Sequence, residues 1–151
     1  MGKDIHVYLI RKHPEENQWK EVILYEKDGE EFKQIPPFVG RDYFLFSYLE
    51  KNEDIEVPVS PLFPEFLPDE LKKVYNNEKE WCFGFSEMNL ADLQIYLLEK
   101  PTIHDEDSYD PKARVDNPLK IFLEDLKNYI KIKEWYPLPL SCYKVVFWFD
   151  C

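Results

Sequence analysis

Ionisable side chains lie in both terminal segments of this chain, and each segment otherwise has the apolar alternation of a β-strand. Asp4 and His6 belong to the first segment and Asp150 to the last. Because alternate residues of a strand share a face, Asp4, His6 and Tyr8 are predicted on one face of the first strand. If the two terminal strands are neighbours, the two acids and the histidine converge on one candidate site.

A carboxylate and an imidazole two residues apart on a strand suit a zinc, manganese or iron ion. Two ligands do not complete a site, so the metal hypothesis needs Asp150, or His104 with its acidic neighbours, as a further ligand. In the alternative interpretation these residues have only a structural role. Asp4 then pairs with backbone groups or with Arg41, and the ring nitrogens of His6 are hydrogen-bonded within the protein. We therefore expect no cofactor, and the alternative is a divalent metal ion bound by Asp4, His6 and Asp150.

A guanidinium, a carboxylate and a phenol follow one another at Arg41, Asp42 and Tyr43, where a loop enters a predicted helix. The planar fork of arginine binds two oxygens at once, and a helix N-terminus also favours an anion. These residues predict a small anionic ligand. An ion pair of Arg41 with Asp4 or Asp150 would explain the same residues, and the sequence leaves both interpretations open.

Aromatic residues make up 17% of the chain, which is enough to fill a core and still supply stacking surfaces for a flat ligand. Tyr43 and Trp148 are the residues expected to line such a pocket. Asp4, His6 and Asp150 would then exchange hydrogen bonds with a ribose or a base. A pocket shared between subunits is one way for a small domain to enclose a ligand, so a homo-oligomer is consistent with this hypothesis.

Common catalytic motifs are missing from the sequence. It has no glycine-rich phosphate loop, no Gly-x-Ser-x-Gly elbow and no His-Glu-x-x-His helix, which argues against the usual nucleotide and serine hydrolases. The three cysteines have no Cys-x-x-Cys spacing, so neither a disulfide framework nor a zinc knuckle is indicated. A Cys–His nucleophile pair stays open, although buried inert cysteine is commoner. An enzyme is thus less favoured than a binding protein.

The formal net charge of −11 opposes general binding to nucleic acid or to an anionic membrane. No apolar run reaches the ~18 residues that span a bilayer, and no signal-peptide pattern opens the chain. We therefore expect a reduced, cytoplasmic protein without membrane contact. An acidic surface that imitates a phosphate backbone and blocks a DNA-binding protein is a further alternative.

The periodicity predicts one α+β domain over 1–151, with a mostly antiparallel sheet packed by three to four helices. Two segments are expected to be loops: a proline-containing one over 52–68 and a polar one over 101–116. The predicted strands are 5–11, 18–26, 32–35, 81–85 and 143–150. The predicted helices are 43–49, 69–77, 90–100 and one that begins after Pro118 and ends before Pro137.

Five segments, in this order along the chain, resemble an uncharacterised family of small phage and prophage proteins. Members of that family typically begin Met-Gly-Cys-Asp-Ile-His, contain Arg-Asn/Asp-Tyr-x-Leu-Phe, and end in a Phe-Trp-Phe-Asp-like strand. The matching segments are Met1-Gly2-Lys3-Asp4-Ile5-His6, Gly40-Arg41-Asp42-Tyr43-Phe44-Leu45-Phe46, Leu67-Pro68-Asp69, Met88-Asn89-Leu90-Ala91-Asp92-Leu93 and Val145-Val146-Phe147-Trp148-Phe149-Asp150.

The chain departs from that family's pattern in two places. Lys3 replaces the usual cysteine, and the segment from Trp81 to Glu87 lacks a His-Ser-His-Ser-Trp-like stretch. If those histidines supply metal ligands in the relatives, a metal-dependent reaction is less favoured here and binding more so.

The resemblance implies a phage protein in the host cytoplasm. The leading hypothesis is that it sequesters a small, nucleotide-like signal of host defence. The alternatives are a divalent-metal phosphodiesterase or related hydrolase, and an acidic inhibitor of a host DNA-binding or nuclease complex.

Overall fold

The computed structural model describes residues 3–38, 40, 42–50 and 56–150. The α-helices within these ranges are α1 (Tyr43–Leu49), α2 (Asp69–Glu78), α3 (Leu90–Glu99) and α4 (Leu119–Lys133). The strands are β1 (Asp4–Arg11), β2 (Lys20–Val22), β3 (Leu24–Asp28), β4 (Glu31–Ile35), β5 (Ser60–Pro61), β6 (Phe83–Asn89), β7 (Thr102–His104), β8 (Arg114–Asp116) and β9 (Tyr143–Asp150).

A five-stranded sheet in the order β2-β1-β9-β6-β5 carries the fold, and β3-β4 and β7-β8 form separate two-stranded sheets. Every strand pair among the described residues is antiparallel. The predicted α+β class, with an antiparallel sheet and up to four helices, is confirmed. Of the helices in the described ranges, none has the length and apolar character needed to cross a bilayer.

The two terminal strands are neighbours. β1 and β9 pair over their whole length, from Asp4 opposite Asp150 to Arg11 opposite Tyr143. The convergence of the two acids and the histidine required the terminal strands to be neighbours, and they are.

The sheet separates two hydrophobic clusters, as the alternation in β1 and β9 predicts. On one face Val7, Val145 and Phe147 pack with buried residues of α1, α3 and α4. On the other face Val146 and Trp148 pack with Leu71 of α2. β9 lies between both clusters, and six of its eight residues are buried. It is the structural centre of the molecule.

The predicted strand 18–26 is divided at Ile23 into β2, which pairs with β1, and β3, which pairs with β4. Tyr129 of α4 marks the division. Its hydroxyl accepts from Leu24 N at 2.7 Å and donates to Ile35 O at 2.6 Å, so it ties both strands of the small sheet to α4. A side chain that is distant in sequence thus satisfies backbone groups where the main sheet ends.

The polar segment 101–116, expected to be a loop, contains the β7-β8 pair. Arg114 braces it by donating from Nη2 to Thr102 O at 2.6 Å. Just beyond it, the fully buried Asn117 donates from Nδ2 to Tyr96 Oη and Lys100 O, each at 3.0 Å, and accepts from Leu119 N. This buried amide joins the end of α3 to the start of α4.

Two smaller departures from prediction concern the segments beside β6. The proline-containing segment includes β5 and a 3-10 turn at Pro64–Phe66. Trp81 precedes β6 instead of lying in it, because its backbone N–H donates to Glu78 O at 3.2 Å and continues the last turn of α2.

Candidate functional site

His6 and Asp150 form the centre of the candidate site. The His6 Nε2 and Asp150 Oδ2 atoms are 2.5 Å apart, and both side chains are mostly buried. A carboxylate oxygen accepts hydrogen bonds, so the Nε2–H of His6 is the donor in this contact. The other ring nitrogen, Nδ1, then faces away from Asp150.

Asp4 stands directly opposite Asp150 in the β1-β9 ladder. Two like charges placed opposite each other destabilise a strand pair. His6 is the neighbour that offers Asp150 a hydrogen bond, so the structure brings the three residues predicted from the chain ends together at one place.

Two residues that the sequence analysis left out of the site lie beside His6. Glu78 is the last residue of α2, and Cys82 follows in the next turn with its backbone N–H donating to Glu78 O at 2.9 Å. One ligand-type atom from each of His6, Glu78 and Cys82 lies within 4.8 Å of the others. His6 Nδ1 and Glu78 Oε1 are 3.9 Å apart.

Trp148 contacts two members of this cluster. Its side chain is fully buried, and its indole Nε1–H donates to Glu78 Oε2 at 3.1 Å. The ring stacks with His6 at a centroid distance of 6.3 Å and is tilted against Tyr8 at 5.0 Å. Trp148 therefore positions Glu78 and His6, and it offers no free face on which a ligand could stack.

The cluster has acidic side chains around it. Burial, with further contributions from Glu78, Glu21 and Cys82, raises the pKa of the Tyr8 phenol well above its ordinary value. The acidic side chains near His6 are those of Glu78 and Asp150, and Asp4 stands opposite Asp150. A group of this kind favours a cation or a hydrogen-bond donor over a free anion.

A cleft of about 280 Å³ opens along the start of β1. It is lined by residues 4–8 of β1 and by Pro36, Phe38 and Gly40. β2 pairs with β1 only from Leu9 to Arg11, so the cleft lies beyond the end of that pairing.

Arg41, the residue predicted to hold an anion, lies outside the described residues. Its neighbour Gly40 is at the cleft, and Asp42 caps α1 by accepting from Leu45 N at 3.1 Å. Tyr43 is half-exposed, and its hydroxyl accepts from Lys3 N at 3.4 Å, next to the start of β1.

His104, the other histidine considered as a metal ligand, lies in the separate β7-β8 sheet. Its Nε2 is 3.1 Å from the backbone oxygen of Asp110, within the same hairpin. The donor cluster formed by the described residues contains His6 as its histidine.

A second, larger cleft of about 560 Å³ lies between β2 and the start of α2. Glu21 and Glu70 both line it. Burial, reinforced by the nearby Glu70, raises the pKa of Glu21 from 4.5 to about 7.

Comparison of the chain with protein-family models, with curated proteins and with solved structures finds no match. Function must therefore be argued from the site itself.

Proposed function

We infer that this protein binds a small, nucleotide-like ligand in the cleft beside β1 and, as a phage protein in the host cytoplasm, withholds it from host defence signalling. The observation that supports the ligand site is the meeting of residues from both chain ends. Asp4 and His6 line the cleft, and Asp150 is bonded to His6 behind it. The phage setting is supported by the sequence resemblance alone.

Each polar group has a role that fits its chemistry. The Asp4 carboxylate accepts hydrogen bonds from ribose hydroxyls or base amino groups, as acidic residues do in other nucleotide sites. Repulsion from the acids keeps the phosphates away from this end of the cleft, and Arg41, which follows Gly40, is the cation that holds them. The half-exposed ring of Tyr43 is the surface for stacking.

The size of the cleft limits the ligand. Its 280 Å³ is close to the lower end of ligand pockets, roughly 300–1,000 Å³, and holds about one nucleoside. A larger nucleotide signal would extend past the rim, where a second copy of the chain would enclose the rest. The ligand and a homo-oligomer are thus parts of the same proposal.

Native mass spectrometry of the protein mixed with a nucleotide extract of the host cell tests this proposal. We expect an intact nucleotide to be retained, followed by a calorimetric titration with the identified compound. Arg41→Ala and Asp4→Asn should each weaken its binding at least about 10-fold, the effect of losing one charge-assisted hydrogen bond of about 1.5–3 kcal/mol. Arg114→Ala, in the β7-β8 hairpin, and Asp125→Asn, on the exposed face of α4, are the matched controls.

Three results would contradict sequestration. Nucleotides released in a converted form would support the hydrolase alternative. A retained host protein with no bound nucleotide would support the acidic-inhibitor alternative. Equal loss of binding in the control variants would place the ligand elsewhere on the molecule.

A further inference from the structure

We propose that His6, Glu78 and Cys82 form a binding site for one divalent transition-metal ion, with zinc as the ion that fits best. This inference goes beyond ligand binding in the cleft and does not depend on it. It also revises the metal site expected from the sequence, since Asp150 supports His6 in this arrangement and is not a ligand.

The donor atoms are close to the spacing that a tetrahedral ion requires. With metal–ligand distances of about 2.0–2.3 Å, two ligands of tetrahedral zinc are about 3.3–3.6 Å apart. His6 Nδ1 and Glu78 Oε1 are 3.9 Å apart, and one donor atom from each of the three residues lies within 4.8 Å of the others.

The second shell of the site is already in place. A metal-bound histidine normally donates its other ring N–H to a carboxylate, which fixes the tautomer and aims the free nitrogen at the metal. His6 does this with Asp150, which leaves Nδ1 directed to Glu78. Likewise, Trp148 holds Glu78 Oε2 at 3.1 Å and leaves Oε1 for the ion.

One backbone hydrogen bond links the two other ligands. Glu78 is the last residue of α2, and Cys82 follows four residues later, directly before β6. The Cys82 N–H to Glu78 O bond of 2.9 Å locks this spacing. Both residues are partly or fully buried, so little side-chain entropy remains to be lost on metal binding.

The donor set selects the class of metal. A thiolate is a poor ligand for magnesium or calcium, whereas thiolate, imidazole and carboxylate together suit zinc and its neighbours. One thiolate and one carboxylate also balance the two charges of the ion. Three protein ligands leave a fourth tetrahedral position, the arrangement found in catalytic zinc sites.

Titration of the full-length, tag-free, metal-free protein with Zn²⁺ and with Co²⁺, in the absence of nucleotides, tests the site. We expect one equivalent of Zn²⁺ to bind in competition with a chromophoric chelator. Co²⁺ should produce a sulfur-to-metal charge-transfer band in the near ultraviolet, which reports a thiolate ligand directly.

Variants assign the ligands and the supporting residue. Cys82→Ser should abolish the charge-transfer band, and Glu78→Gln should weaken Zn²⁺ binding while it keeps an acceptor for Trp148. Asp150→Asn should weaken binding about 10- to 100-fold while the band survives, the loss typical of an outer-shell partner. Cys142→Ser, at another buried cysteine, and His13→Ala, at the start of the turn after β1, are the controls.

The outcomes separate this site from the nucleotide proposal. Metal binding without nucleotide retention would leave the metal site standing alone, and the reverse would overturn it. A band that survives in Cys82→Ser, or that disappears in Cys142→Ser, would also overturn it. The far-ultraviolet circular dichroism of each metal-free variant identifies any that fails to fold, and Glu78→Gln, which keeps the side-chain shape, then decides the assignment.

Discussion

At the scale of single residues, the protonation of Glu21 links the stability of the folded protein to pH. Burial, and then the neighbouring Glu70 on α2, raise its pKa from 4.5 to about 7. Burial, and after it a contribution from Glu21, also raises the pKa of the phenols of Tyr8 on β1 and Tyr129 on α4. The folded protein therefore holds the Glu21 proton more tightly than the unfolded chain does.

This raised pKa sets the sign of a pH effect on stability. The stabilisation from Glu21 is complete below pH 4.5 and is lost as the pH rises through about 7, because the carboxyl group must then ionise beside Glu70. The side chain is only partly buried, so we expect a loss of roughly 1 kcal/mol after solvent screening. Glu21→Gln should remove this loss.

Urea denaturation of Glu21→Gln and of the parent protein between about pH 5 and pH 8 measures the effect, within the range where the linkage acts. Glu26→Gln, an exposed change on β3, is the control and should follow the parent protein. If the free energy of unfolding depends on pH in the same way for Glu21→Gln and the parent protein, Glu21 binds its proton equally well in the folded and unfolded states.

At the scale of elements, β6 depends on a glycine where its pairing with β9 is irregular. The register with β9 shifts between Phe83 and Ser86, and Gly84 lies in that bulge with φ +70°. A Cβ atom on Gly84 would come within 2.9 Å of Cδ2 of the buried Phe149. Gly29, at the β3-β4 turn, has a similar φ of +67° but open space around it.

These two glycines form a matched pair for mutation. Gly29→Ala should lower the free energy of unfolding by about 1–2 kcal/mol, the cost of the left-handed conformation. Gly84→Ala should add about 1–3 kcal/mol to that cost, because Phe149 cannot give way in a packed core. Urea denaturation of both variants measures the difference, and equal losses would show that the Phe149 ring has room to move.

Elements with their own periodicity were predictable from sequence. β1 and β9 reveal their faces through alternation, and α3 is preceded by Asn89, whose side chain accepts from Ala91 N at 2.9 Å. The division at Ile23 was not predictable, because it depends on Tyr129, about a hundred residues later in the chain. The local sequence around Ile23 gives no information about a side chain that tertiary packing brings to it.

The candidate site shows the same limit. Alternation placed Asp4 and His6 on one face, and the meeting of the chain ends joined Asp150 to them. Glu78 and Cys82 were missed because their only local signal is a four-residue spacing at the end of a helix. Their proximity to His6 comes from the packing of α2 over the sheet, which no single segment encodes.

At the scale of the whole molecule, the net charge of −11 opposes the folded state through self-repulsion. Most ion pairs among the described residues are at least partly exposed, and such pairs contribute only about 0–1 kcal/mol each. Repulsion should therefore outweigh their attraction, and salt should stabilise the protein.

The urea midpoint at constant pH tests this balance. Between about 0.01 M and 0.15 M sodium chloride the screening length falls from about 30 Å to about 8 Å, so we expect the midpoint to rise. A falling midpoint would mean that specific ion pairs, such as Arg11 with Glu134 at 2.9 Å, outweigh the net repulsion.

The pairing of Asp4 with Asp150 also has a topological consequence. Paired positions of an antiparallel ladder are about 4.5–5.5 Å apart, so a linker of a few residues could join the start of β1 to the end of β9 without bending either strand. New ends could then be opened at Gly29, in the tight turn between β3 and β4. A circularly permuted chain of this kind would keep β1 and β9 at the centre of the sheet while its folding started from a different order of strands.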